Sequence, residues 1–147
     1  MYQSEFETYD PAHLSGQVSL VVLDPSDPGT PVNIVETDDA FAIRVDWSIT
    51  GLAAPFLGGT WHVTAYIDDR DGVAPSSGPL GTKNVPVGPV VLPLPRKYST
   101  TINVAAGAVK AGLYDLTVAI TYDNGPKLSI AAFCEGPILE FYDKADA

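Results

Sequence analysis

The sequence is poor in the residues that most often form cross-links and metal centres. Its 147 residues include one cysteine, Cys134, and two histidines, His13 and His62. A single cysteine excludes an intrachain disulfide, and a tetrahedral transition-metal site would need all three side chains to converge from separate segments. We therefore expect neither a disulfide framework nor a transition-metal centre.

Basic residues and long apolar runs are also scarce. Eight lysines and arginines stand against eighteen aspartates and glutamates, which gives a net charge of −10. A field of this sign repels nucleic acid, so no nucleic-acid partner is expected. No apolar run reaches the roughly 18 residues that span a bilayer, and we expect no membrane insertion. The opening MYQSEFETYD lacks a signal-peptide pattern, which favours a cytoplasmic chain, one exported without a cleaved leader, or one already trimmed.

Catalytic motifs are missing as well. The sequence contains no G-x-S-x-G elbow, P-loop, dinucleotide fingerprint or zinc-protease helix. His62 falls on the polar side of a predicted strand, and Cys134 falls in an apolar one, where a small buried residue is the simpler interpretation. The adjacent acids Asp38 and Asp39 fit a turn better than a glycosidase cleft. We predict that the chain is not an enzyme.

What the sequence does contain is strict apolar–polar alternation, the period of a half-buried strand. It is clearest over residues 41–50, 61–68 and 114–122. Further strands are predicted at 16–23, 98–104, 127–134 and 138–142, with shorter ones at 32–36 and 87–92. The fold class is therefore all-β, a single antiparallel sandwich of about seven to nine strands. The predicted core comprises Val18, Leu20, Val22, Phe41, Ile43, Val45, Trp47, Ile49, Trp61, Val63, Ile67, Leu116, Val118 and Ile120.

Two stretches interrupt this pattern. Residues 68–86 carry few core-forming side chains and predict a long loop. Its acids Asp68, Asp69 and Asp71 are candidate calcium ligands, with a solvated acidic turn as the alternative. Next, residues 86–95 contain four prolines among valines and leucines. Because proline cannot donate to a ladder, an edge strand or polyproline segment is expected there.

The first 13 residues hold Tyr2, Phe6 and Tyr9 among acids and show no strand pattern. We therefore divide the chain into an N-terminal arm at 1–13, a sandwich at 14–143 and a tail at 144–147. The three aromatic residues, left in water, favour burial against a partner surface. An arm that folds back over its own sandwich is the alternative.

The segment Ala-Gly-Leu-Tyr-Asp-Leu-Thr-Val at 111–118 resembles the penultimate strand of bacterial immunoglobulin-like and fibronectin type III-like domains. The resemblance implies that Tyr114 forms a tyrosine corner, its hydroxyl bonded to backbone between about Val104 and Ala111. It also implies that Trp47 and Trp61 are core aromatic residues. The paired cysteines of antibody-type domains are missing. A likeness of this kind predicts an immunoglobulin-like fold but no function.

These observations lead to two functional hypotheses. The first is a non-enzymatic protein-binding or self-assembling structural module, a component of a larger particle, filament or surface layer. Its partner is a protein, expected to be another copy of the chain, and its predicted contacts are Tyr2, Phe6, Tyr9, Val87, Val90 and Leu92. The alternative is a carbohydrate- or ligand-binding module that uses the 68–86 loop with calcium.

Overall fold

The computed structural model describes residues 2–8, 14–25, 27–51, 58–70, 77–88, 94–123 and 130–144. Within these ranges the chain is all-β, and no helix capable of crossing a membrane occurs in them. The predicted sandwich class is confirmed. The strands are β1 (Tyr2–Glu5), β2 (Glu7–Thr8), β3 (Ser15–Asp24), β4 (Asp27–Pro31), β5 (Ile34–Glu36), β6 (Phe41–Thr50), β7 (Thr60–Asp69), β8 (Gly78–Pro86), β9 (Arg96–Val104), β10 (Gly112–Asp123) and β11 (Ile130–Tyr142).

The strands form two sheets. Sheet A has the order β1-β3-β6-β9, with β4 also paired to β3. Sheet B has the order β2-β11-β10-β7-β8, with β5 also paired to β11. Neighbouring strands run antiparallel except β5 and β11, which are parallel. Since the chain passes between sheets at β6–β7, β8–β9 and β9–β10, consecutive strands cross the sandwich and enclose one core between its inner faces.

The core follows from the alternation. All fourteen predicted core residues are buried, and none is more than 4% exposed. Their neighbours along each strand face outward, so a register slip of one residue would turn the whole apolar set into water. Leu139 and Phe141 on β11 complete the inner face of sheet B.

Aromatic rings link the sheets at one end of this core. Trp61 lies at their centre, with ring centroids 5.7 Å from Phe6, 6.3 Å from Trp47, 5.6 Å from Tyr98 and 5.2 Å from Tyr122. Trp47 and Tyr98 stack with centroids 5.6 Å apart. Edge and stacked pairs of this kind add about 0.5–1.5 kcal/mol each beyond the burial of area.

The N-terminal segment differs from the predicted arm. Residues 2–5 pair with β3 in sheet A, and residues 7–8 pair with β11 in sheet B. Phe6 lies between them, 8% exposed, and its amide donates to the Gly16 carbonyl at 3.0 Å. The prediction of a free arm is therefore wrong over residues 2–8. Two short pairings, one per sheet, were too brief to produce an alternation in the sequence.

The predicted 68–86 loop is also corrected. β7 extends to Asp69, and residues 78–86 form β8, the edge strand of sheet B. Glycine, proline and polar residues are tolerated there because an edge strand packs against one neighbour only. In β11 a bulge near Gly136 and Pro137 joins what the sequence suggested were two strands. Of the predicted 87–92 strand, residues 87 and 88 are not in a strand and 89–92 lie outside the described residues.

A buried arginine fixes the connection from β8 to β9. The Arg96 guanidinium is 4% exposed and donates to the carbonyls of Val87 at 2.8 Å and Gly88 at 3.2 Å. The Tyr98 hydroxyl donates to the same Val87 carbonyl at 2.8 Å. The Val87 amide donates in turn to the Gly59 carbonyl at 2.9 Å. These bonds hold Val87 against the core.

Candidate functional site

The outer face of sheet B carries a cluster of exposed apolar side chains around one carboxylate. In the strand register, Glu140 of β11 lies directly opposite Ile34 of β5 on one side and Leu113 of β10 on the other. Ile138 and Tyr142 precede and follow Glu140 by two residues, so they share its face of the strand. We call these five residues the Glu140 patch.

The patch is apolar and open to solvent. Ile34 is 57% exposed, Leu113 37%, Ile138 45% and Tyr142 43%, whereas the inward residues between them are buried. Glu140 is exposed as well, and none of the ion pairs found among the described residues includes its carboxylate. Large apolar side chains scattered singly are ordinary on a surface, but contiguous ones mark contact sites.

Polar groups border the patch. Arg70 donates to Asp115 at 3.0 Å, and the Thr37 hydroxyl donates to Asp143 at 2.7 Å. An apolar centre within a polar rim is the usual arrangement of a protein contact surface. Elsewhere on the same outer face, Tyr66 and Phe133 are exposed at 42% and 57%, but small residues such as Thr117 and Ala119 lie around them.

Two of the predicted interface residues, Phe6 and Val87, have described side chains, and neither lies at this surface. Phe6 and Val87 are 8% and 3% exposed and belong to the chain's own core, so neither is a free anchor. The Phe6 ring packs against the Trp61 ring in the core. Val87 is held in place by the hydrogen bond that Arg96 donates to its carbonyl. Tyr2 lies in β1, with only its backbone described. The remaining three positions, Tyr9, Val90 and Leu92, fall outside the described residues.

The acids proposed as calcium ligands do not converge in the described part of the chain. Asp68 and Asp69 are consecutive in β7, so their side chains point to opposite faces of the sheet. Asp68 is paired opposite Asp115, and the Asp69 amide donates a hydrogen bond to the Ser77 hydroxyl oxygen at 3.0 Å. Asp71 lies outside the described residues. Within the described ranges no three acids, histidines or cysteines are grouped as metal ligands.

His62 and Cys134, the two residues considered above for catalysis, lie on different faces of sheet B. His62 Nδ1 lies 2.6 Å from Asn84 Oδ1, and its Nε2 lies 3.6 Å from an Asp123 carboxylate oxygen. This cluster is on the outer face of sheet B, whereas Cys134 is fully buried in the core. Burial, and next the neighbouring Glu135 charge, raise the pKa of the Cys134 thiol above its ordinary value. A thiol in that environment is held in its unreactive protonated form.

The tyrosine corner lies where the resemblance located it. Tyr114 is fully buried at the start of β10, and its hydroxyl donates to the Lys110 carbonyl at 2.9 Å. Its ring contacts Phe141 of β11, with centroids 5.6 Å apart. This bond joins the β9–β10 connection to the core, as Trp47 and Trp61 join the two sheets. The contacts of Tyr114, Trp47 and Trp61 are all within the core and hold the fold together.

Sequence reasoning missed the Glu140 patch, although a signal for it exists. Tyr114 is buried, which shows which alternate positions of β10 face the core. Leu139 and Phe141 show the same for β11. Leu113, Ile138 and Tyr142 then fall on the polar phase, where large apolar residues break the pattern. Several neighbouring apolar residues out of phase are the sequence signal of an exposed apolar patch.

The chain is similar in fold to solved structures, while no protein-family profile and no curated protein sequence matches it. The C-terminal domain of wzt is similar over 99% of this chain and 80% of that one, with 9% identity and a TM-score of 0.56. The CARDB domain of the PF1109 protein from Pyrococcus furiosus, solved in complex with di-metal ions, is similar over 86% of this chain and 94% of that one, with 12% identity and a TM-score of 0.46.

A beta-glucosidase from Listeria innocua is similar over 86% of this chain, with 11% identity and a TM-score of 0.46, but the chain spans only 16% of that enzyme. At these identities the likeness concerns the fold alone. The likeness to the C-terminal domain of wzt supports the predicted resemblance at the level of the β-sandwich fold only.

Proposed function

We propose that this chain is a non-enzymatic protein-binding module and that the Glu140 patch is its contact surface. The observation that carries the proposal is the ring of four exposed apolar side chains around one carboxylate on an otherwise regular sheet face. An immunoglobulin-like fold is consistent with such a module.

Burial of the patch supplies the driving force. Each Å² of apolar surface removed from water contributes about 25 cal/mol, so four large side chains that become covered contribute several kcal/mol to association. Contact surfaces derive most of their affinity from a few such residues near the centre, surrounded by polar contacts that exclude water. The ion pair of Arg70 with Asp115 and the bond of Thr37 with Asp143 occupy the surrounding positions.

The central carboxylate decides which partner fits. A partner that covers the patch takes Glu140 out of water, which is costly unless a cation pairs with it. The net charge of −10 adds long-range attraction for a basic partner. We therefore propose a protein that presents a lysine or arginine flanked by apolar residues.

A second copy of the chain can supply the basic residue that Glu140 needs if the two copies meet head to tail. In a two-fold symmetric contact centred on the patch, Glu140 of one copy would face Glu140 of the other, and like charges in a dry interface are unfavourable. A head-to-tail contact instead brings a lysine from another surface of the second copy, and it extends into a filament. Self-assembly of this head-to-tail kind is the second form of the proposal.

Selection from a displayed peptide library tests the contact surface. The full chain is immobilised, binders are enriched, and their affinities are measured for the wild type, Ile138→Ser, Leu113→Ser and Tyr66→Ser. Tyr66 is the matched control, because it is equally exposed on the same outer face but outside the patch. We expect enriched peptides with a basic residue among apolar ones, weakened by at least about tenfold by either patch variant, as the loss of a hot-spot residue implies. Peptides without this pattern, or insensitive to both patch variants, would refute the proposal.

Sedimentation velocity on the same variants separates the two kinds of partner. A concentration-dependent increase in mass that Ile138→Ser abolishes and Tyr66→Ser preserves indicates head-to-tail copies. A chain that stays monomeric at high concentration, together with patch-dependent peptide binding, indicates a different protein. Oligomers that are indifferent to Ile138→Ser contradict the contact surface itself.

A further inference from the structure

The outer face of sheet A is chemically unlike that of sheet B. Its strand register aligns outward side chains in two adjacent rows across four strands. The first row is Gln3, Ser19, Asp46 and Ser99, and the second is Glu5, Gln17, Ser48 and Lys97. Every side chain in both rows is polar. The buried Val18 and Trp47 and the partly buried Tyr98 lie between the rows and pack with the core.

The lengths of these side chains shape a groove. Serines at positions 19, 48 and 99 are short and leave space above the sheet, while Gln3, Gln17 and Lys97 are long. The resulting cavity has a volume of about 380 Å³, which falls in the range of about 300–1,000 Å³ typical of small-ligand sites. The same face continues into a second space of about 390 Å³, lined by Glu5, Ser15, Gly16, Gln17, Ser48, Thr50 and Pro95.

The groove is elongated along the strands. Gln17 and Ser48 line both spaces, so the two lie side by side along the sheet. From Asp46 to Thr50, four residues of β6 cover roughly 13 Å at the usual rise per residue of a strand. A ligand that fills both spaces is therefore extended and polymeric in character.

The chemistry of the lining selects a neutral ligand. Glutamine amides and serine hydroxyls each donate and accept hydrogen bonds. Asp46 is already paired with Arg44, its carboxylate oxygen 3.2 Å from the guanidinium nitrogen, and the charges of Glu5 and Lys97 are opposite. The groove thus has no excess of one sign with which to hold an anion or a cation. Val18, Trp47 and Tyr98 also line it, between the two polar rows, and they provide apolar surface against which the carbon face of a sugar ring can pack.

We propose that this groove binds a linear, neutral, hydroxyl-rich chain, which by chemical class is a neutral oligosaccharide. Ligand hydroxyls match a lining that donates and accepts, and the groove length accommodates several linked units. An extended peptide is the poorer fit, because peptides are bound through strand edges or apolar pockets. The inference is independent of the Glu140 patch, which lies on the other sheet.

Nuclear magnetic resonance of the ¹⁵N-labelled full chain tests the proposal. The probes are soluble neutral oligosaccharides of the cello-, xylo-, manno-, malto- and chito- series, with an oligogalacturonate as the anionic counterpart. We expect at least one neutral series to shift amide signals at 15–19, 46–50 and 97–99, while the signals of β10 and β11 stay in place. The anionic chain is expected to bind more weakly.

Variants locate the site. Ser48→Leu fills the floor of the groove and should weaken binding by about tenfold or more, and Gln17→Ala, which removes one amide, by roughly fivefold, as expected for one lost hydrogen bond. Thr117→Leu is the matched control, a half-buried outward position at the centre of sheet B. Gln17→Ala alters an exposed side chain and leaves the fold intact, so it remains informative if Ser48→Leu is unstable.

The proposal is overturned if no neutral series shifts the groove amides at millimolar concentration. It is equally overturned if the shifts map to another face, if the anionic chain binds more tightly than the neutral ones, or if the groove variants bind as the wild type does. None of these outcomes bears on the peptide binding of the Glu140 patch.

Discussion

Gly16 lies where the N-terminal chain crosses from one sheet to the other, and a side chain there has no room. A Cβ built on Gly16 would approach the Ser48 carbonyl oxygen to 2.4 Å and a ring carbon of Phe6 to 3.1 Å. Carbon–oxygen contacts across strands are normally about 3.3–3.6 Å, so Gly16→Ala must move β3 and β6 apart by roughly 1 Å. Because the obstructing atom belongs to the backbone, no rotation of a side chain relieves the contact.

The cost can be worked out from these contacts. Overpacking a close-fitted site costs about 1–3 kcal/mol, and each ladder hydrogen bond that is stretched adds about 1 kcal/mol. Against this, alanine reduces the entropy of the unfolded chain, a gain of about 0.4–1 kcal/mol. We expect Gly16→Ala to lower the free energy of unfolding by about 2–4 kcal/mol. For a domain of this size that corresponds to a melting temperature lower by roughly 5–15 °C.

Urea unfolding followed by tryptophan fluorescence measures this loss, since Trp47 and Trp61 both lie in the core. The control is Gly58→Ala, where an added Cβ meets nothing within 4 Å. That variant should stay within about 0.5 kcal/mol of the wild type or be slightly more stable. The reasoning would be refuted if Gly16→Ala were as stable as the wild type, or if Gly58→Ala lost as much stability as Gly16→Ala does.

Four further predictions concern buried side chains. Tyr114→Phe should lower the free energy of unfolding by about 1 kcal/mol in urea titration, because it leaves a backbone carbonyl without its donor; equal stability would contradict the corner. Trp47→Ala should cost about 3–5 kcal/mol by the same assay, and a loss below about 1 kcal/mol would place the ring outside the core. Burial raises the pKa of Tyr98 and of Tyr122. Their contribution to stability should therefore be complete below about pH 10 and be lost as the pH rises through the raised pKa values. In a series of melting temperatures at increasing pH, Tyr98→Phe should lose less stability at alkaline pH than the wild type does. Cys134 should react with a thiol reagent only as fast as the chain unfolds, and rapid labelling of the native protein would be inconsistent with its burial.

The central strands could be predicted from the sequence, because each has a full alternating run that is buried on one side only. β6, β7 and β10 were found in this way, and Trp47 and Trp61 both lie in the core, as predicted. The antiparallel pairing of β10 with β11 also agrees with the predicted antiparallel sandwich. Alternation predicts which face is buried but not which strand lies beside which.

The edges and the site could not be predicted in the same way. β8 is an edge strand with glycine and proline, so its sequence resembles a loop. β1 and β2 are too short to show a period, and their pairing depends on residues far away in the chain. The Glu140 patch depends on the parallel pairing that brings Ile34 beside Glu140, and that neighbour is more than one hundred positions away in the sequence. Contacts of this kind arise from topology rather than from local pattern.

The division of the first eight residues between the sheets has a consequence for the order of folding. β1 needs only β3, which follows it closely, so sheet A can begin from the N-terminal part of the chain. β2 pairs with β11, where Glu7 lies opposite Ala131, and β5 likewise requires β11. Closing loops of that length is entropically costly, and folds rich in such contacts fold slowly. Neither the pairing of β2 that follows the crossing at Phe6 nor the Glu140 patch can therefore form before β11, near the end of the chain, is available.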